Sequence, residues 1–381
     1  MLEIIQNPNE TEVAFLKRKA YFERLIKPRF NYGDYSLDLK KECVKPLSEE
    51  QKKEIDNFWS IYIDKEKLED FIDYRWYSIY NQLNNNKSFE LKYYIPDTFY
   101  YAFVDEYFTN PQWSNPCDDK NLYDLLFNDI LRPKTIIRKI GDLILDKNYS
   151  KLTLEEAIKL CSSYSSIIFK TSKFSCGGSG INFWDADEST ERIKQILNDS
   201  THLIGQEIVN QHSELKKLNP TSLNTVRILT LLQKDNVKIL SSVVRMGKIH
   251  GARVDNASSG GIVCGIDTTG RLKEIAYDTC GNCYLKHPNG TKFEDITIPN
   301  FNKCIELVEK LSYRVADITR LVSWDLAIDN MGNAVLIEFN TSFGQIDFHQ
   351  LCNGPILGEH PEEVLNEVFS KSYTLRALLN K

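Results

Sequence analysis

The chain has 381 residues, enough for about two or three structural units, and its 42% hydrophobic and 26% charged residues are typical of a globular protein. The formal net charge of −6 argues against a protein that wraps nucleic acid. No apolar run reaches the length of a membrane span, and the first residues, MLEIIQNPNETEVAFLKRK, lack the apolar stretch of a secretory signal. We therefore expect a cytoplasmic protein.

The first part of the chain, residues 1–116, is expected to be mainly helical. The stretch SEEQKKEIDNFWSIYI begins with a capping-box pattern at Ser48 and Gln51 and continues as an amphipathic helix. In the next stretch, aromatic residues recur at helical spacing, which favours a place in the core over a role in binding. They are Phe71, Tyr74, Trp76 and Tyr80.

From residue 117 onward, short strands and helices are mixed. PKTIIRKIGDLILD is typical of short strands, and TLEEAIKLC of a helix capped by Thr153 and Glu156. SSIIFKTSKFSCGGSGINFW predicts two strands around a Gly-rich loop, whose backbone could approach phosphates closely. Lys170, at the end of the first of these strands, would add a positive charge. Gly-rich hairpins without ligands are also common, and this one is neither a P-loop nor a dinucleotide fingerprint.

The strand HLIGQEIV ends at Gln206 and Glu207. A backbone hinge beside a carboxylate suits the edge of an adenine, which needs a donor and an acceptor. Glu207 could equally be a surface residue at the end of a strand.

A further segment, VVRMGKIHGARVDNASSGG, combines arginines with a Gly-rich backbone. Guanidinium groups bind phosphate or carboxylate through two parallel hydrogen bonds. The alternative is a long surface loop with solvated arginines. The residues concerned are Arg245, Arg253, Asn256, Gly260 and Gly261.

The stretch LVSWDLAIDNMGNAVLIEFN predicts a β-hairpin, because two apolar runs flank the turn-type residues DNMGN. Glu338 and Asn340 are two residues apart and point to one face, and Asp325 lies roughly opposite them. Three oxygen-bearing side chains on one face suit Mg²⁺ shared with substrate phosphates. The alternative is the solvated outer face of a hairpin. The tail HPEEVLNEVFSKSYTLRALLN predicts helices, and the mixture of elements without strict alternation predicts the α+β class.

The order of these features over about residues 117–348 resembles the ATP-grasp superfamily of ATP-dependent carboxylate–amine ligases. Within it, the chain is most similar to the sugar-transfer-associated ATP-grasp family. The phrases that carry the resemblance are DKNLYDLLF, NPTSLNTVRILTL, RVDNASSGGIVCGID, HPNGTKFEDITIP and SWDLAI…VLIEFN. The resemblance implies an ATP-grasp fold in which two α+β subdomains clasp ATP. It implies a helical N-terminal region (1–116), a lid (117–205), a metal-binding subdomain (206–348) and a helical tail (349–381).

The resemblance also implies roles for individual residues. Residues implied to bind ATP are Lys120, Lys170, Ser175, Gly177, Gly178, Gly180, Gln206, Glu207, Gly260 and Gly261. Arg227, Arg245 and Asn256 would act at the reaction centre, and Asp325, Glu338 and Asn340 would hold one or two Mg²⁺ ions. Asn224 or Thr225 lies where members of the superfamily often carry an acidic ribose contact. His250 and His287 are the available candidates for a general base.

The implied reaction joins a carboxylate to an amine through an acyl phosphate, at the expense of ATP. Family context suggests a sugar acid, such as a uronic acid of a nucleotide sugar or glycan, joined to an amino acid or small amine in surface polysaccharide biosynthesis. A glycosyltransferase of the same pathway is a possible partner. Two other readings stay open: a kinase that phosphorylates a hydroxyl, and a non-catalytic ATP-binding partner of a glycosyltransferase.

Overall fold

The computed structural model describes residues 6, 10–83, 89–109, 111–173, 180–249, 251, 253–255, 257 and 260–379. The α-helices are α1 (Glu12–Tyr21), α2 (Lys27–Leu39), α3 (Glu49–Trp59), α4 (Leu68–Phe71), α5 (Tyr74–Leu83), α6 (Asp97–Phe99), α7 (Glu106–Phe108), α8 (Pro111–Cys117), α9 (Tyr123–Leu126), α10 (Leu154–Cys161), α11 (Thr190–Asp199), α12 (Ser213–Lys216), α13 (Phe301–Arg314), α14 (Ile346–Asn353), α15 (Glu362–Lys371) and α16 (Tyr373–Leu379). The strands are β1 (Thr135–Ile140), β2 (Leu143–Asp146), β3 (Lys151–Leu152), β4 (Ser166–Thr171), β5 (Ile181–Asp185), β6 (His202–Glu207), β7 (Thr225–Leu232), β8 (Val237–Met246), β9 (Ile262–Ile266), β10 (Leu272–Tyr277), β11 (Cys283–Tyr284), β12 (Leu321–Ile328) and β13 (Ala334–Asn340).

Local sequence signals set several of these elements. Ser48 and Gln51 form the predicted capping box at the start of α3, and Thr153 and Glu156 form the one at the start of α10. The helices and two antiparallel sheets form an α+β arrangement, which confirms the predicted class.

The first sheet has the strand order β3-β2-β1-β6-β4-β5, and each neighbouring pair is antiparallel. Helices α10 and α11 pack on it around a core that includes Ile137, Phe169 and Ile193. The two strands predicted around the Gly-rich loop are β4 and β5, paired from Ser166–Asp185 to Lys170–Ile181. Lys170 therefore lies at the end of the sheet where β4 leads into that loop.

The second sheet has the order β11-β10-β9-β8-β7-β12-β13 and is covered on both faces. Alternation along β7 divides its residues: Ile228 faces the core formed with α13, whereas Leu229 faces the core formed with the N-terminal helices and α14. Arg227 shares the second face with Leu229, because it is two residues away on the same strand. Phe71, Trp76 and Tyr80 lie buried in this second core, as their spacing predicted, and Tyr74 packs against it half-buried.

The N-terminal helices fix the segment that follows β13, residues 341–346. Arg29 of α2 donates to Asp105 Oδ2 at 2.6 Å and to the Ser342 hydroxyl at 2.9 Å, and its guanidinium lies 5.2 Å from the centre of the Phe343 ring. Asp105 also accepts a hydrogen bond from the backbone N–H of Phe343 at 3.2 Å, while Phe343 has a positive φ of 57°. A buried ion pair of the helical region therefore holds a backbone conformation that few side chains adopt.

Across the described ranges, no helix combines the length and apolarity that crossing a bilayer requires.

We expect Asp105→Ala to lower the free energy of unfolding by ~3–5 kcal/mol, because it leaves the buried Arg29 guanidinium without its carboxylate. The double variant R29M/D105L should recover most of that loss, since it removes both charges together. Urea denaturation of the purified proteins measures both values.

The exposed pair between Lys52 and Glu49 provides the control. Lys52→Ala should cost no more than ~1 kcal/mol. A loss in Asp105→Ala as small as that of Lys52→Ala would contradict the bracing role of the Arg29–Asp105 pair.

Candidate active site

Strand register brings three of the predicted residues side by side. On β12, Asp325 lies opposite Arg227 of β7 on one side and opposite Glu338 of β13 on the other. Ser323 and Asn340 form the next pair on the same face, so the predicted hairpin and its shared face are present. All three predicted metal ligands therefore lie on adjacent strands of the second sheet.

Arg227 and Asp325 form a buried pair with two parallel hydrogen bonds. Arg227 Nε donates to Asp325 Oδ1 and Nη2 donates to Oδ2, each at 2.7 Å, and the two residues are only 6% and 3% exposed. Burial alone would raise the pKa of the Asp325 carboxyl, but the guanidinium groups of Arg227 and Arg245 together lower it below its usual value. Asp325 is therefore a carboxylate that fixes the direction of the Arg227 fork.

Arg245 lies beside this pair but is held less tightly. It donates to Asp325 Oδ2 at 3.2 Å and to Asp255 Oδ1 at 3.5 Å. Asp255 in turn accepts hydrogen bonds from the backbone N–H of Thr225, at 3.2 Å, and from the Thr225 hydroxyl. The sequence analysis did not single out Asp255, although it is the neighbour of the proposed Asn256.

Two lysines lie near Glu338, Lys120 in a short helical turn at residues 120–122 and Lys170 on β4 of the first sheet. Lys120 Nζ lies 2.6 Å from Glu338 Oε1, and the Lys120 backbone N–H donates to the carbonyl of Ser172 at 2.9 Å, just beyond β4. Burial lowers the pKa of Lys170 to about 8; the charge of Lys120 acts in the same direction, while Glu338 opposes it. Lys120 and Glu338 thus form an ion pair, and Lys170 lies near enough for the charges of both to act on its amine.

Asp325, Glu338 and Asn340 are the oxygen donors that a hard cation prefers, but both Asp325 oxygens accept from arginines and Glu338 pairs with Lys120, so a bound cation would have to share or replace these partners. Asn340 Nδ2 donates to the Ser323 carbonyl at 3.1 Å and to Asp325 Oδ2 at 3.4 Å, so Oδ1 is the amide atom that could coordinate a metal. Within the described part of the chain, no group of three or more His, Cys, Asp or Glu side chains is arranged to hold a metal. Two carboxylates and one amide oxygen match Mg²⁺ bound jointly with phosphates better than an all-protein cage.

A cavity of about 350 Å³ lies beside Lys170, at the junction of the two sheets. Glu207 lines it, together with the apolar side chains of Pro133, Ile168 and Ile337. Gln206 is placed differently: it is buried within β6 and its side-chain Nε2 donates to the Pro133 carbonyl at 3.4 Å. Of the two predicted hinge residues, Glu207 faces the cavity and Gln206 supports its wall.

The two residues at the sequence position expected to contact a ribose form hydrogen bonds within the protein instead. Asn224 is fully buried and its Nδ2 donates to Gln211 Oε1 at 3.0 Å, while Thr225 is bonded to Asp255. The polar residues that line the cavity include Asn210 and Lys216, whose side chains are joined at 2.8 Å. Sequence reasoning missed both, since neither belongs to a recognisable motif.

The glycines of the two loops are only partly within the described residues. Gly180 ends the Gly-rich loop with a φ of +74°, and a Cβ there would lie 2.0 Å from Thr171 Oγ1, so only glycine fits. Gly260 has a φ of +87° and Gly261 is buried; both lead into β9 and neither lines the cavity. The predicted residues that lie outside the described ranges are Ser175, Gly177, Gly178 and Asn256.

Of the two histidines considered as a general base, His287 does not support that role. His287 is buried, and its Nε2 is 2.9 Å from the carbonyl oxygen of Gly247, a contact that fixes the end of β8. His250 lies outside the described residues.

Comparison with known families decides the classification. A sequence model described as sugar-transfer associated ATP-grasp matches residues 153–366, which is more than half of the chain. The chain belongs to this family. The resemblance inferred from the motifs and the ATP-grasp fold expected from it are thereby confirmed. No curated protein matches the chain.

Several solved structures match the chain at low identity. The biotin carboxylase domain of the 2-oxoglutarate carboxylase from Hydrogenobacter thermophilus is 14% identical over 68% of this chain and 46% of its own, with a TM-score of 0.40. D-alanyl-alanine synthetase A from Vibrio cholerae is 13% identical over 71% of this chain and 65% of its own, with a TM-score of 0.38. The ATP-grasp ligase PsnB, solved with a precursor peptide and AMPPNP, is 11% identical over 68% and 62%, with a TM-score of 0.40. The match to this chain thus spans less than two thirds of the length of each of these proteins.

We expect Asp325→Asn to lower the free energy of unfolding by ~3–5 kcal/mol, because it leaves the buried Arg227 guanidinium without its carboxylate and leaves Arg245 with only the long contact to Asp255. Glu338→Gln should cost clearly less, since the Glu338 and Lys120 side chains are 22% and 11% exposed and water can replace part of the interaction. Urea denaturation of both variants checks the order. Equal losses of unfolding free energy in the two variants would contradict a larger stabilising role for the Asp325 carboxylate than for Glu338.

Lys170 should make the binding of a polyphosphate ligand such as ATP dependent on pH. Below about pH 8 the amine is protonated in the free protein, and bound phosphates would raise its pKa above that value. The affinity for ATP should therefore be constant below the pKa that Lys170 has in the free protein. Above it, affinity should fall by up to about tenfold per pH unit until the pH reaches the pKa of Lys170 in the ATP complex. Calorimetric titration from about pH 7 to about pH 9 measures this.

The matched variants are Lys170→Ala and Lys170→Arg. Lys170→Ala should bind ATP more weakly and lose the component of the pH profile due to this amine, whereas Lys170→Arg should keep its charge throughout. Identical affinity and pH profile in wild type and Lys170→Ala would remove Lys170 from the nucleotide site.

Proposed function

We propose that this chain is an ATP-dependent carboxylate–amine ligase that forms an amide through an acyl phosphate. The observation that carries the proposal is the gathering of cationic side chains around two carboxylates: Arg227 and Arg245 contact Asp325, and Lys120 contacts Glu338. Lys170, whose pKa responds to the charge of Glu338, lines the neighbouring cavity. Such a surround is suited to phosphoryl transfer, in which the protein mainly positions groups and stabilises charge. Membership of an ATP-grasp family supports the same conclusion.

In the proposed complex, the adenine lies in the 350 Å³ cavity and the phosphates extend towards Lys170 and Lys120. The apolar walls suit a flat base, and Glu207 with the adjoining backbone offers polar contacts at its edge. Asp325, Glu338 and Asn340 would hold Mg²⁺, which when bound offsets negative charge on the phosphates. We also propose the division into a lid (117–205) and a metal-binding subdomain (206–348), with residues 1–116 and 349–381 flanking them.

The proposed reaction has two steps, phosphoryl transfer to the acid and then attack by the amine. A carboxylate oxygen of the acid attacks the γ-phosphorus, the bond to the β,γ-bridging oxygen breaks, and ADP leaves with that electron pair. An amine next attacks the carbonyl carbon of the acyl phosphate, the carbon–oxygen bond breaks with its electron pair going to the phosphate, and the amine gives a proton to the departing phosphate. Arg227 and Arg245 would donate hydrogen bonds to the transferring phosphoryl group and the acyl phosphate oxygens.

For the substrates, we propose a sugar acid joined to an amino acid or small amine. The description of the family as sugar-transfer associated supports an acid drawn from sugar metabolism, such as a uronic acid of a nucleotide sugar or glycan. A glycosyltransferase of a surface polysaccharide pathway is the proposed partner. We propose a cytoplasmic location, because the proposed reaction consumes ATP.

The test is ADP release from Mg²⁺-ATP with a panel of uronic acids and nucleotide sugars, each with and without a mixture of amines. We expect release that requires both a carboxylate and an amine, with an amide product visible by mass spectrometry. Release with a hydroxyl acceptor and no amine would overturn the ligase in favour of a kinase. ATP binding without turnover on any member of the panel would favour a non-catalytic partner.

Once an active substrate pair is found, Glu338→Gln should reduce kcat by at least about a hundredfold, as expected when a group that stabilises transition-state charge is removed. Glu306→Gln, an exposed change on α13, is the matched control and should leave kcat unchanged. Near-normal turnover in Glu338→Gln would exclude the metal role of this carboxylate.

A further inference from the structure

Three cysteines from distant parts of the chain lie close together where the N-terminal helices contact the second sheet. Cys280 and Cys283 belong to the segment CGNC, whereas Cys43 ends a short helical turn, Lys41–Cys43, that follows α2. The Cys43 thiol donates to the carbonyl oxygen of Cys280, with 3.5 Å between sulfur and oxygen. A Cβ built on Gly281 would lie 2.8 Å from the same sulfur. Cys43 therefore packs directly on the backbone of the CGNC segment.

The loop between β10 and β11 holds Cys280 at a fixed place. The Asp278 carboxylate accepts hydrogen bonds from the backbone N–H groups of Cys280 and Asn282, each at 3.0 Å, and from the Tyr284 hydroxyl at 2.8 Å. Gly281 completes the turn with a φ of +81°, and its N–H donates to the Asp278 carbonyl at 3.0 Å. Cys280 is therefore presented, exposed, at the tip of an internally bonded hairpin.

Cys43 is held on the other side of this contact by a buried ion pair. Its backbone N–H donates to the Lys40 carbonyl at 2.8 Å, and Lys40 Nζ donates to Asp347 Oδ2 of α14 at 2.6 Å. Lys40 and Asp347 are only 1% and 3% exposed. The approach of Cys43 to the hairpin is thus part of the packed core and not a chance position of a surface side chain.

The three thiols differ in how readily they can react. Partial burial raises the pKa of the Cys43 thiol and that of the Cys283 thiol, on which the charge of Cys43 also acts. The thiolate is the form that attacks a disulfide, and access to the sulfur limits the rate. The exposed Cys280 is therefore the thiol that a small reagent meets first.

The contact geometry favours Cys43 over Cys283 as the partner of Cys280. Cys283 lies opposite Tyr277 in the β10–β11 pair, so its side chain shares the face of Tyr277, which packs into the core. Cys280 lies beyond the paired residues, at the tip. A carbonyl oxygen is about 2.4 Å from the Cα of its own residue, so the Cys43 sulfur lies within about 6 Å of the Cys280 Cα.

We propose that Cys43 and Cys280 form a reversible disulfide when a small disulfide such as oxidised glutathione reaches the loop. The Cys280 thiolate attacks one sulfur of the small disulfide, whose S–S bond breaks and releases one small thiolate. The Cys43 thiolate then attacks the Cys280 sulfur, the mixed disulfide breaks, and the second small thiolate leaves. The protein gives up two protons and two electrons, and the small disulfide is reduced to two thiols.

This bond would join the turn after α2 to the β10–β11 hairpin and so tether the N-terminal region to the second sheet. In a reducing compartment a disulfide of this kind forms transiently and reports the redox state. Among the described residues, no group of three or more His, Cys, Asp or Glu side chains is arranged to hold a metal, so these thiols do not suit a metal site. The proposal does not depend on the proposed ligase function.

The test is peptide mapping of the full-length protein, first reduced and then incubated with oxidised glutathione. Free thiols are blocked with N-ethylmaleimide before digestion with trypsin. Cys43 falls in the tryptic peptide 42–52, and Cys280 and Cys283 fall together in the peptide 274–286. We expect a species that links these two peptides and disappears after treatment with dithiothreitol.

Serine variants identify the sulfurs involved. The linked species should be lost in Cys43→Ser, where Cys280 should instead retain glutathione as a mixed disulfide, and it should be lost in Cys280→Ser. Cys283→Ser should keep it. Cys117→Ser, which changes a half-buried cysteine on α8, is the matched control and should also keep it. Thermal unfolding of each reduced variant shows that a lost link is not a lost fold.

Three results would overturn the proposal. They are a disulfide confined to the peptide 274–286, a link that survives in folded Cys280→Ser but not in Cys283→Ser, and a Cys43 that N-ethylmaleimide still modifies fully after oxidation.

Urea denaturation tests the tether itself. A cross-link between residues far apart in the sequence restricts the unfolded chain, so the oxidised wild type should unfold at a higher urea concentration than the reduced protein. The difference should vanish in Cys43→Ser. Equal midpoints for fully oxidised and reduced wild type would overturn the tethering role of the bond.

Discussion

The buried pair between Arg227 and Asp325 is the interaction on which the arrangement of the site depends. Both side chains are held on neighbouring strands, so the backbone register sets their distance before any ligand arrives. The pair keeps the carboxylate ionised in a buried position and fixes the plane of the guanidinium fork. Arg245 and Asn340 then arrange themselves around the same carboxylate. Burying a charged cluster of this kind costs desolvation free energy during folding. Its presence is therefore consistent with a role in binding rather than in stability.

The helical N-terminal region contributes to this site although it carries none of the predicted ligands. It packs on the face of the second sheet that displays Arg227 and Asp325, and it fixes the segment after β13 through the Arg29–Asp105 pair. The hydroxyl of Tyr101 accepts a hydrogen bond from the backbone N–H of Ile346 at 3.0 Å, next to Gln345 with its positive φ of 61°. The helices therefore determine where Gln345 and α14 meet the reaction centre.

Sequence patterns predicted the parts of the site that depend on local order. The closing hairpin shows why: an alternation of period two determines which side chains share a face, so Asp325, Glu338 and Asn340 could be grouped without coordinates. The patterns could not predict which residues meet across the fold. Asp255 contacts Thr225 of β7, Lys216 contacts Asn210 in the cavity wall, and His349 contacts Ser241 of β8. The residues next to them in the sequence do not indicate these contacts. The reverse also occurred with Gln206, since a residue at the end of a strand can face a ligand or support the wall behind it.

The core on the Arg227 face of the second sheet limits how the chain can be cut into fragments that fold. Its buried residues run from Phe22 to Leu375 and include strands, N-terminal helices and C-terminal helices, whereas the family match covers only residues 153–366. The segment that sequence comparison recognises is therefore not the same as the unit that buries its own apolar surface. A fragment cut at the limits of the match would also lack Lys120 and would expose the apolar face that flanks Arg227. For this chain, recombination at those limits would exchange a motif but not a self-supporting module.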